Sequence, residues 1–204
     1  MTKYVLVPDS LKGTMTSREI CEIMQHAIER IDSDAKIISV PVADGGEGSV
    51  DAFLSALGGK RKAITVTGPH FEKLSSSYGI TDDGTAVIEM SACAGLPLVY
   101  GKKNPELTTT YGVGERICSA ARSGARRIVI GLGGSATNDG GCGAAAAAGI
   151  KFYDKSGKSF IPVGRTLKDI ASIDYSGLDS ALSGVSISAM CAGDNPLLGE
   201  TGAA

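Results

Sequence analysis

Three loops of this sequence combine glycine with acidic, hydroxyl or lysine side chains, and each lies between an apolar run and a helical pattern. They are residues 8–13 (PDSLKG), 44–49 (DGGEGS) and 131–141 (GLGGSATNDGG). Loops of this kind present free backbone N–H groups to an anion, and carboxylates beside them suit a divalent cation. The residue types therefore indicate binding of phosphate or carboxylate groups.

The first loop places Asp9, Ser10 and Lys12 directly after a predicted strand. Asp9 could hold Mg²⁺ or position a hydroxyl, and Lys12 could neutralise phosphate charge. Ser10 is a candidate for binding substrate or phosphate oxygens. The alternative is an ordinary loop with surface charges, and the spacing lacks the GxxxxGK[ST] pattern of a P-loop.

The second loop brings two carboxylates, Asp44 and Glu47, within four residues. Both are oxygen ligands of the kind that a hard divalent cation prefers, and Gly45 and Gly46 allow the backbone to approach a ligand closely. The alternative is a helix cap, with Asp44 at the N-cap and Glu47 three positions later. The two interpretations are compatible.

The third loop is the richest in polar groups. A purely structural turn needs one or two glycines, whereas this loop has several together with Ser, Thr, Asn and Asp. We expect its backbone amides, helped by the positive end of the following helix, to contact a carboxylate or phosphate. The residues expected to bind substrate or phosphate are Gly133, Gly134, Ser135, Thr137 and Asn138.

A fourth polar segment, residues 193–196, follows the last predicted strand. Asp194 is of the right type for a metal ligand. An Asx turn before Pro196 is the alternative interpretation.

The first part of the chain alternates strand and helix patterns. Apolar runs predict strands at 4–7 and 36–40, and helical spacing predicts helices that end near Asp32 and at Gly58. Thr16 and Glu19 form a capping-box pattern at the start of the first helix. This order predicts a parallel sheet covered by helices.

The pattern changes near residue 60. Strands are predicted over 60–67 and 74–90, with turns at Gly68-Pro69 and at Asp82-Asp83-Gly84, which indicates antiparallel pairs. Further along, the spacing predicts a helix at 111–123, a strand at 127–132, a helix reaching Gly149, and strands at 150–153 and 185–191. A further helix is expected to begin where the chain ends, at 202–204.

Composition excludes several classes of protein. The 204 residues carry a formal net charge of −2, which does not favour a nucleic-acid or membrane-surface binder. Five scattered cysteines without a CxxC pair argue against a disulfide framework or a zinc site. No signal peptide or membrane span is predicted, so we expect a cytoplasmic protein. A dinucleotide-dependent oxidoreductase would need GxGxxG after the first strand, where this chain has PDSLKG.

Five stretches together resemble, in order, the signature stretches of the bacterial glycerate kinase family: PDSLKGTMTS (8–17), PVADGGEGSV (41–50), VIEMSACAGL (87–96), TTTYGVGE (108–115) and IGLGGSATNDGG (130–141). The resemblance implies ATP-dependent phosphorylation of D-glycerate with Mg²⁺, and it favours the 2-hydroxyl over the 3-hydroxyl. It also implies two α/β domains: a flavodoxin-like one, opened by residues 1–62, and an inserted restriction-endonuclease-like one at 63–204.

The resemblance also suggests roles for the site residues. Lys12 would stabilise the transferring charge, Asp44, Glu47 and Asp194 are candidate Mg²⁺ ligands, and Asp9, Asp44 or Asp139 would orient the hydroxyl. Spacing leaves the choice among these three carboxylates open. The expected partners are small molecules, with no nucleic acid or membrane, and a homo-oligomer is left open.

Two departures from the family pattern matter. Ala192 stands where family members usually have Asp after the cysteine, and family chains run well beyond residue 204. The chain is therefore expected to be a fragment with an incomplete flavodoxin-like domain. The alternative function is that of an inactive, truncated module that binds glycerate or phosphate without turnover.

Overall fold

The computed structural model describes residues 1–202 and begins with two parallel strands joined by a helix. Strand β1 (Lys3–Leu6) pairs with β2 (Lys36–Ser39), and α1 (Ser17–Glu29) connects them. Thr16 caps the helix: its Oγ1 accepts the Glu19 N–H at 3.2 Å, and the Glu19 carboxylate accepts the Thr16 N–H at 2.7 Å. The predicted parallel pair and the capping box are both confirmed.

A second, five-stranded sheet forms the centre of the molecule. Its strands are β3 (Lys60–Thr67), β4 (Lys73–Ile80), β5 (Thr85–Glu89), β6 (Arg127–Gly131) and β10 (Ser186–Met190), in the spatial order β10-β6-β5-β4-β3. The predicted antiparallel pairs are present between β3, β4 and β5, whereas β5, β6 and β10 run parallel. The central strand β5 is buried along its whole length, which explains its continuous apolar run.

Helices cover both faces of this sheet. Helix α2 (Ser49–Leu57) packs on β4 and β5, and α4 (Tyr111–Arg122) packs on β3 and β5. Ile88 and Val113 share the main core on the α4 side, while Glu89 reaches α2 on the opposite side. Alternation along β5 therefore sends neighbouring side chains to the two helices.

The predicted turn at 82–84 is confirmed, and some other elements differ in extent. The turn lies between β4 and β5 and is closed by a hydrogen bond from the Gly84 N–H to the Thr81 carbonyl. Helix α5 is only Cys142–Ala147 and ends before Gly149, whose φ is +100°. The short helix α3 (Ser91–Ala94) was not predicted.

A small antiparallel sheet follows α5. It consists of β7 (Lys151–Tyr153), β8 (Ser159–Phe160) and β9 (Ser172–Asp174), in the order β8-β7-β9. Strands β8 and β9 were not predicted, because two or three residues are too few for a periodic pattern. The division into domains at residue 62, which falls within β3, stays a prediction.

Two findings concern the chain as a whole. The helix expected to begin at 202–204 falls on the edge of the described residues, since residues 203 and 204 lie outside them. Within residues 1–202, no helix combines the length and apolar character needed to cross a membrane.

Candidate functional site

The carboxyl ends of three parallel strands lie at one edge of the central sheet, where β5, β6 and β10 end at Glu89, Gly131 and Met190. The second loop packs on this edge: the Gly133 N–H donates to the Gly45 carbonyl at 3.1 Å. The Leu132 N–H donates to the Met190 carbonyl, also at 3.1 Å. The fold therefore brings the second and third loops together at the place where parallel sheets bind ligands.

Glycine is required where these two loops meet. A Cβ built on Gly133 would lie 2.8 Å from the Gly46 backbone nitrogen, and one on Gly131 would overlap the Gly45 carbonyl oxygen. Some of the glycines in the third loop therefore serve close packing of backbone on backbone.

The first loop joins the second through an ion pair. Lys12 Nζ donates to Asp44 Oδ2 at 2.8 Å, and the two side chains are 59% and 38% exposed. The hydrogen bond from Lys12 lowers the pKa of Asp44, with a further contribution from the Gly46 N–H. The same contact with Asp44 raises the pKa of Lys12. Two candidate catalytic residues from distant parts of the chain are thus in direct contact.

A cavity of about 270 Å³ lies beside this pair. Its walls are the first loop, the start of α1 and the second loop; they include Ser10, Lys12, Thr14, Ser17, Glu19, Glu47 and Gly48. Hydroxyl groups, one cation and two carboxylates line it together with the apolar side chains of Leu11, Met15 and Val42. Asp9 is exposed nearby, and its Oδ1 accepts the Ser10 N–H at 2.7 Å.

The third loop uses part of its polar groups internally. The Ala136 N–H donates to the Ala94 carbonyl at 2.8 Å, and the Thr137 N–H donates to Ser135 Oγ at 3.2 Å. Among protein groups within residues 1–202, the N–H groups of Gly134, Ser135, Asn138, Asp139 and Gly140 have no acceptor. The first three belong to residues that were expected to bind an anion, and their amides remain available to one.

Asp139 occupies a different environment from the other candidate carboxylates. It is 1% exposed, and Oδ2 accepts the Thr110 N–H at 2.8 Å and the Gly143 N–H at 3.2 Å. Oδ1 accepts the Gly141 N–H at 3.0 Å. This geometry favours a structural role, because its oxygens already satisfy backbone donors of α4 and α5.

The helix after the third loop does not present its positive end to a ligand, contrary to expectation. In the first turn of α5, the Gly143 N–H donates to Asp139 and the Ala144 N–H donates to Thr110 Oγ1 at 2.9 Å. The helix is six residues long, so the dipole it could add is small.

The predicted metal ligands do not form one cluster. In the described part of the chain, no three His, Cys, Asp or Glu side chains are placed to hold a metal ion together. Asp194 lies exposed in the segment after β10, whereas Asp44 and Glu47 share the second loop. Of the three predicted metal ligands, Asp44 and Glu47 therefore lie on one loop, and Asp194 lies on another segment.

Two buried charged residues near the site were not predicted. Glu89 is 7% exposed and its Oε1 accepts the Val50 N–H in the first turn of α2 at 2.7 Å, while Arg116 is fully buried. Helix α2 begins after Gly48, so the alternative in which Asp44 caps it is wrong. An acidic residue that closes an otherwise apolar buried strand was the signal that could have identified Glu89.

Comparison with known proteins gives a consistent result. The model of the glycerate kinase family matches residues 4–204. The glycerate 2-kinase of Escherichia coli K12 is 45% identical over 203 residues, which are 98% of this chain and 53% of that protein. The glycerate kinase of Bacillus subtilis 168 is also 45% identical, with the same shares covered.

A solved structure agrees with these sequences. A crystal structure described as a glycerate kinase 2 from Salmonella typhimurium LT2 superposes with a TM-score of 0.84 at 40% identity, covering 99% of this chain and 55% of that one. The chain spans about half the length of the curated relatives it matches. On the match of the family model and on these identities, the chain belongs to the glycerate kinase family.

Proposed function

We propose that this protein acts in the ATP-dependent phosphorylation of D-glycerate, with the 2-hydroxyl as the favoured acceptor. The proposal is supported by relatives named glycerate kinase and glycerate 2-kinase. The observation that carries it is the Lys12–Asp44 pair, which lies beside a cavity lined by hydroxyl and charged groups as well as apolar ones, and on a loop packed against Gly133. Phosphoryl transfer depends mainly on positioning and charge neutralisation, and this arrangement supplies groups for both.

In the proposed reaction, a glycerate hydroxyl oxygen attacks the γ-phosphorus of ATP while the bond to the ADP oxygen breaks. The ammonium of Lys12 balances charge on the transferring group. The amides of Gly134, Ser135 and Asn138 bind oxyanions of the acid or the nucleotide. The hydroxyl proton passes to a carboxylate.

Asp44 is the carboxylate that we favour for accepting this proton. It contacts Lys12, whereas the oxygens of Asp139 are occupied by backbone donors. Asp9 remains the second candidate, since it lies at the start of the same loop as Lys12. The lowered pKa of Asp44 keeps it ionised at neutral pH, so Asp44 would orient the hydroxyl first and receive its proton late.

Magnesium fits this site if it arrives with ATP. Mg²⁺ in such enzymes is held by one or two carboxylates and by substrate phosphates, which matches the pair of Asp44 and Glu47. Asp44 and Glu47 would hold the ion, and the chemistry it would supply is neutralisation of phosphate charge. Asp194, which is exposed after β10, forms no three-carboxylate cluster with them within residues 1–202.

The finer architecture belongs to the same proposal. Residues 1–62 are assigned to a flavodoxin-like domain and residues 63–204 to an inserted restriction-endonuclease-like domain. The parallel β1–β2 pair and the mixed five-stranded sheet support two units of these kinds. The proposed partners are small-molecule substrates, and the proposed location of the protein is the cytoplasm.

Binding without turnover is the second candidate function, because the free N–H groups of the third loop can bind glycerate or phosphate whether or not transfer follows. A coupled ATP assay would separate the two, using the 204-residue chain and the same chain joined to the part of Bacillus subtilis glycerate kinase beyond the matched region. Phosphorylation by either protein supports the proposal, and phosphorus NMR of the product identifies the modified oxygen. Glycerate binding by calorimetry with no product from either protein would favour the second candidate.

The same assay tests the role of Lys12. We expect Lys12→Met to lower kcat by roughly 10²–10³, the usual cost of removing one electrostatic contact to the transition state. Arg127→Met is the matched control, because Arg127 forms another exposed ion pair, with Asp83, at the opposite end of β6. Equal activity of the two variants would contradict the role of Lys12.

A further inference from the structure

Glu89 lies between the two loops that meet at the site. Its backbone pairs with Gly131 at the end of β6, and its side chain accepts the Val50 N–H at 2.7 Å. Val50 is the second residue of α2, so its N–H has no acceptor within the helix. The N-cap residue Gly48 has no side chain to supply one. The carboxylate of a neighbouring strand therefore takes the place of a helix cap.

Arg116 holds the same residue from the other face of the sheet. The backbone pairing of β4 with β5 ends at Gly79 and Val87, and continuing that register by two residues places Ser77 opposite Glu89. Instead, the guanidinium of Arg116 stands between these strands, donating to the Ser77 carbonyl at 2.5 Å and the Glu89 carbonyl at 2.6 Å. The end of β5 is thus separated from β4 and fixed by a buried side chain.

We propose that Glu89 is a positioning residue for the second loop, with its backbone fixed by Arg116. The carboxylate ties the first turn of α2 to the central strand, and the chain leading into that turn is Asp44–Gly48, which meets both Lys12 and Gly133. The inference rests on the proposed function, because the loop it positions contains the favoured base.

The test measures amide hydrogen exchange by NMR in the 204-residue chain and glycerate phosphorylation in the extended protein. Glu89→Asp keeps the charge but shortens the reach by one methylene, and Glu89→Gln keeps an acceptor oxygen at full reach. Glu115→Asp is the matched control, since Glu115 likewise accepts a backbone N–H, that of Thr67, on the α4 side of the sheet.

We expect Glu89→Asp to speed exchange at the Val50 amide by about 10- to 100-fold, as for loss of a hydrogen bond to a charged group. The kcat of the extended protein should fall with it. Glu89→Gln should restore both, and Glu115→Asp should speed exchange at Thr67 while leaving Val50 unchanged. Unchanged exchange at Val50 in Glu89→Asp, or equal acceleration there in Glu115→Asp, would overturn the proposal.

A second measurement covers the case in which Glu89→Asp does not fold. The charged groups that face the Glu89 carboxyl are Asp51 on α2, Arg61 on β3 and Arg116 on α4. In the unsubstituted chain, the chemical shift of the Val50 amide proton should change with pH as Glu89 titrates. This pH-dependent change should be absent in Glu89→Gln, and a change that persists in that variant would overturn the inference. Absence of turnover in the unsubstituted extended protein counts against the proposed function alone, since the Val50 readings do not depend on activity.

Discussion

At the scale of single residues, two aspartates of the candidate site differ in burial and in hydrogen-bond partners, and they therefore have different roles. Asp44 is exposed and paired with Lys12, whereas Asp139 is buried and accepts backbone N–H groups from two helices. The first can contact a substrate. The second cannot do so without leaving buried donors unsatisfied.

Asp139→Ala should therefore destabilise the fold. It would leave the backbone N–H groups of Thr110, Gly141 and Gly143 without their acceptor, so we expect a loss of about 2–4 kcal/mol in the free energy of unfolding. Urea denaturation followed by circular dichroism measures it. Asp9→Ala, at an exposed position, is the control, and similar midpoints for the two variants would contradict the structural role.

Glu89 should make stability depend on pH. Burial raises its pKa in the folded chain above the ordinary 4.5, and the Val50 N–H opposes this only in part. Because the pKa of Glu89 is higher in the folded chain than in the unfolded chain, the neutral carboxyl contributes to the free energy of unfolding. This contribution is fully present below the pKa of the unfolded chain and is lost as pH rises through the pKa of the folded chain.

The comparison is with Glu89→Gln, which stays neutral. The free energy of unfolding of the unsubstituted chain should fall relative to this variant as pH rises above the ordinary pKa of 4.5 and through the raised pKa of Glu89. Urea titrations at several pH values measure the difference. If the difference in the free energy of unfolding between the two chains stays constant over this range, burial does not shift the pKa of Glu89.

At the scale of elements, the site depends on loops that pack backbone against backbone. Loop 44–48 contacts the ends of β6 and β10, through Gly45 with Gly133 and Met190. Parallel strands are what bring these ends to one edge. Because glycines have no side chains at this contact, the two loops can approach closely. This close approach sets the position of the free amides of the third loop.

Gly133→Ala should push the two loops apart. The new methyl would lie 2.8 Å from backbone atoms of Gly46, so we expect a loss of about 1–3 kcal/mol in stability and weaker glycerate binding by calorimetry. Gly193→Ala is the control, because its nearest neighbour, Asn195 Oδ1, is 3.8 Å away. Binding by Gly133→Ala as tight as by Gly193→Ala would refute the close-packing argument.

At the scale of the whole molecule, the two sheets differ in how well they are covered. The central sheet has a helix on each face, whereas the β1–β2 pair leaves apolar groups in contact with solvent. Val5 is 56% exposed on β1, Ile23 is 56% exposed on α1, and Ile31, just after α1, is 90% exposed. Apolar surface of this kind promotes association.

The 204-residue chain should therefore self-associate as its concentration rises. Sedimentation velocity measures this, and Val5→Thr combined with Ile23→Gln should shift the equilibrium toward monomer because both changes remove exposed apolar area. Ile173→Gln, on the small sheet where Ile173 is 55% exposed, is the control. A monomer with a sharp thermal transition at all concentrations would contradict the prediction.

Local patterns in the sequence were enough to predict most elements and the residues of the loops. Thr16 and Glu19 indicated a helix start, apolar runs indicated strands, and glycine-rich loops after strands indicated a ligand site, because each signal lies within a few neighbouring residues. The tertiary structure alone decided which polar groups are free. Asp139 turned out to accept backbone N–H groups from two helices, and Glu89 and Arg116 turned out to be buried and hydrogen-bonded next to the loops, since burial and hydrogen-bond partners come from residues distant in the chain.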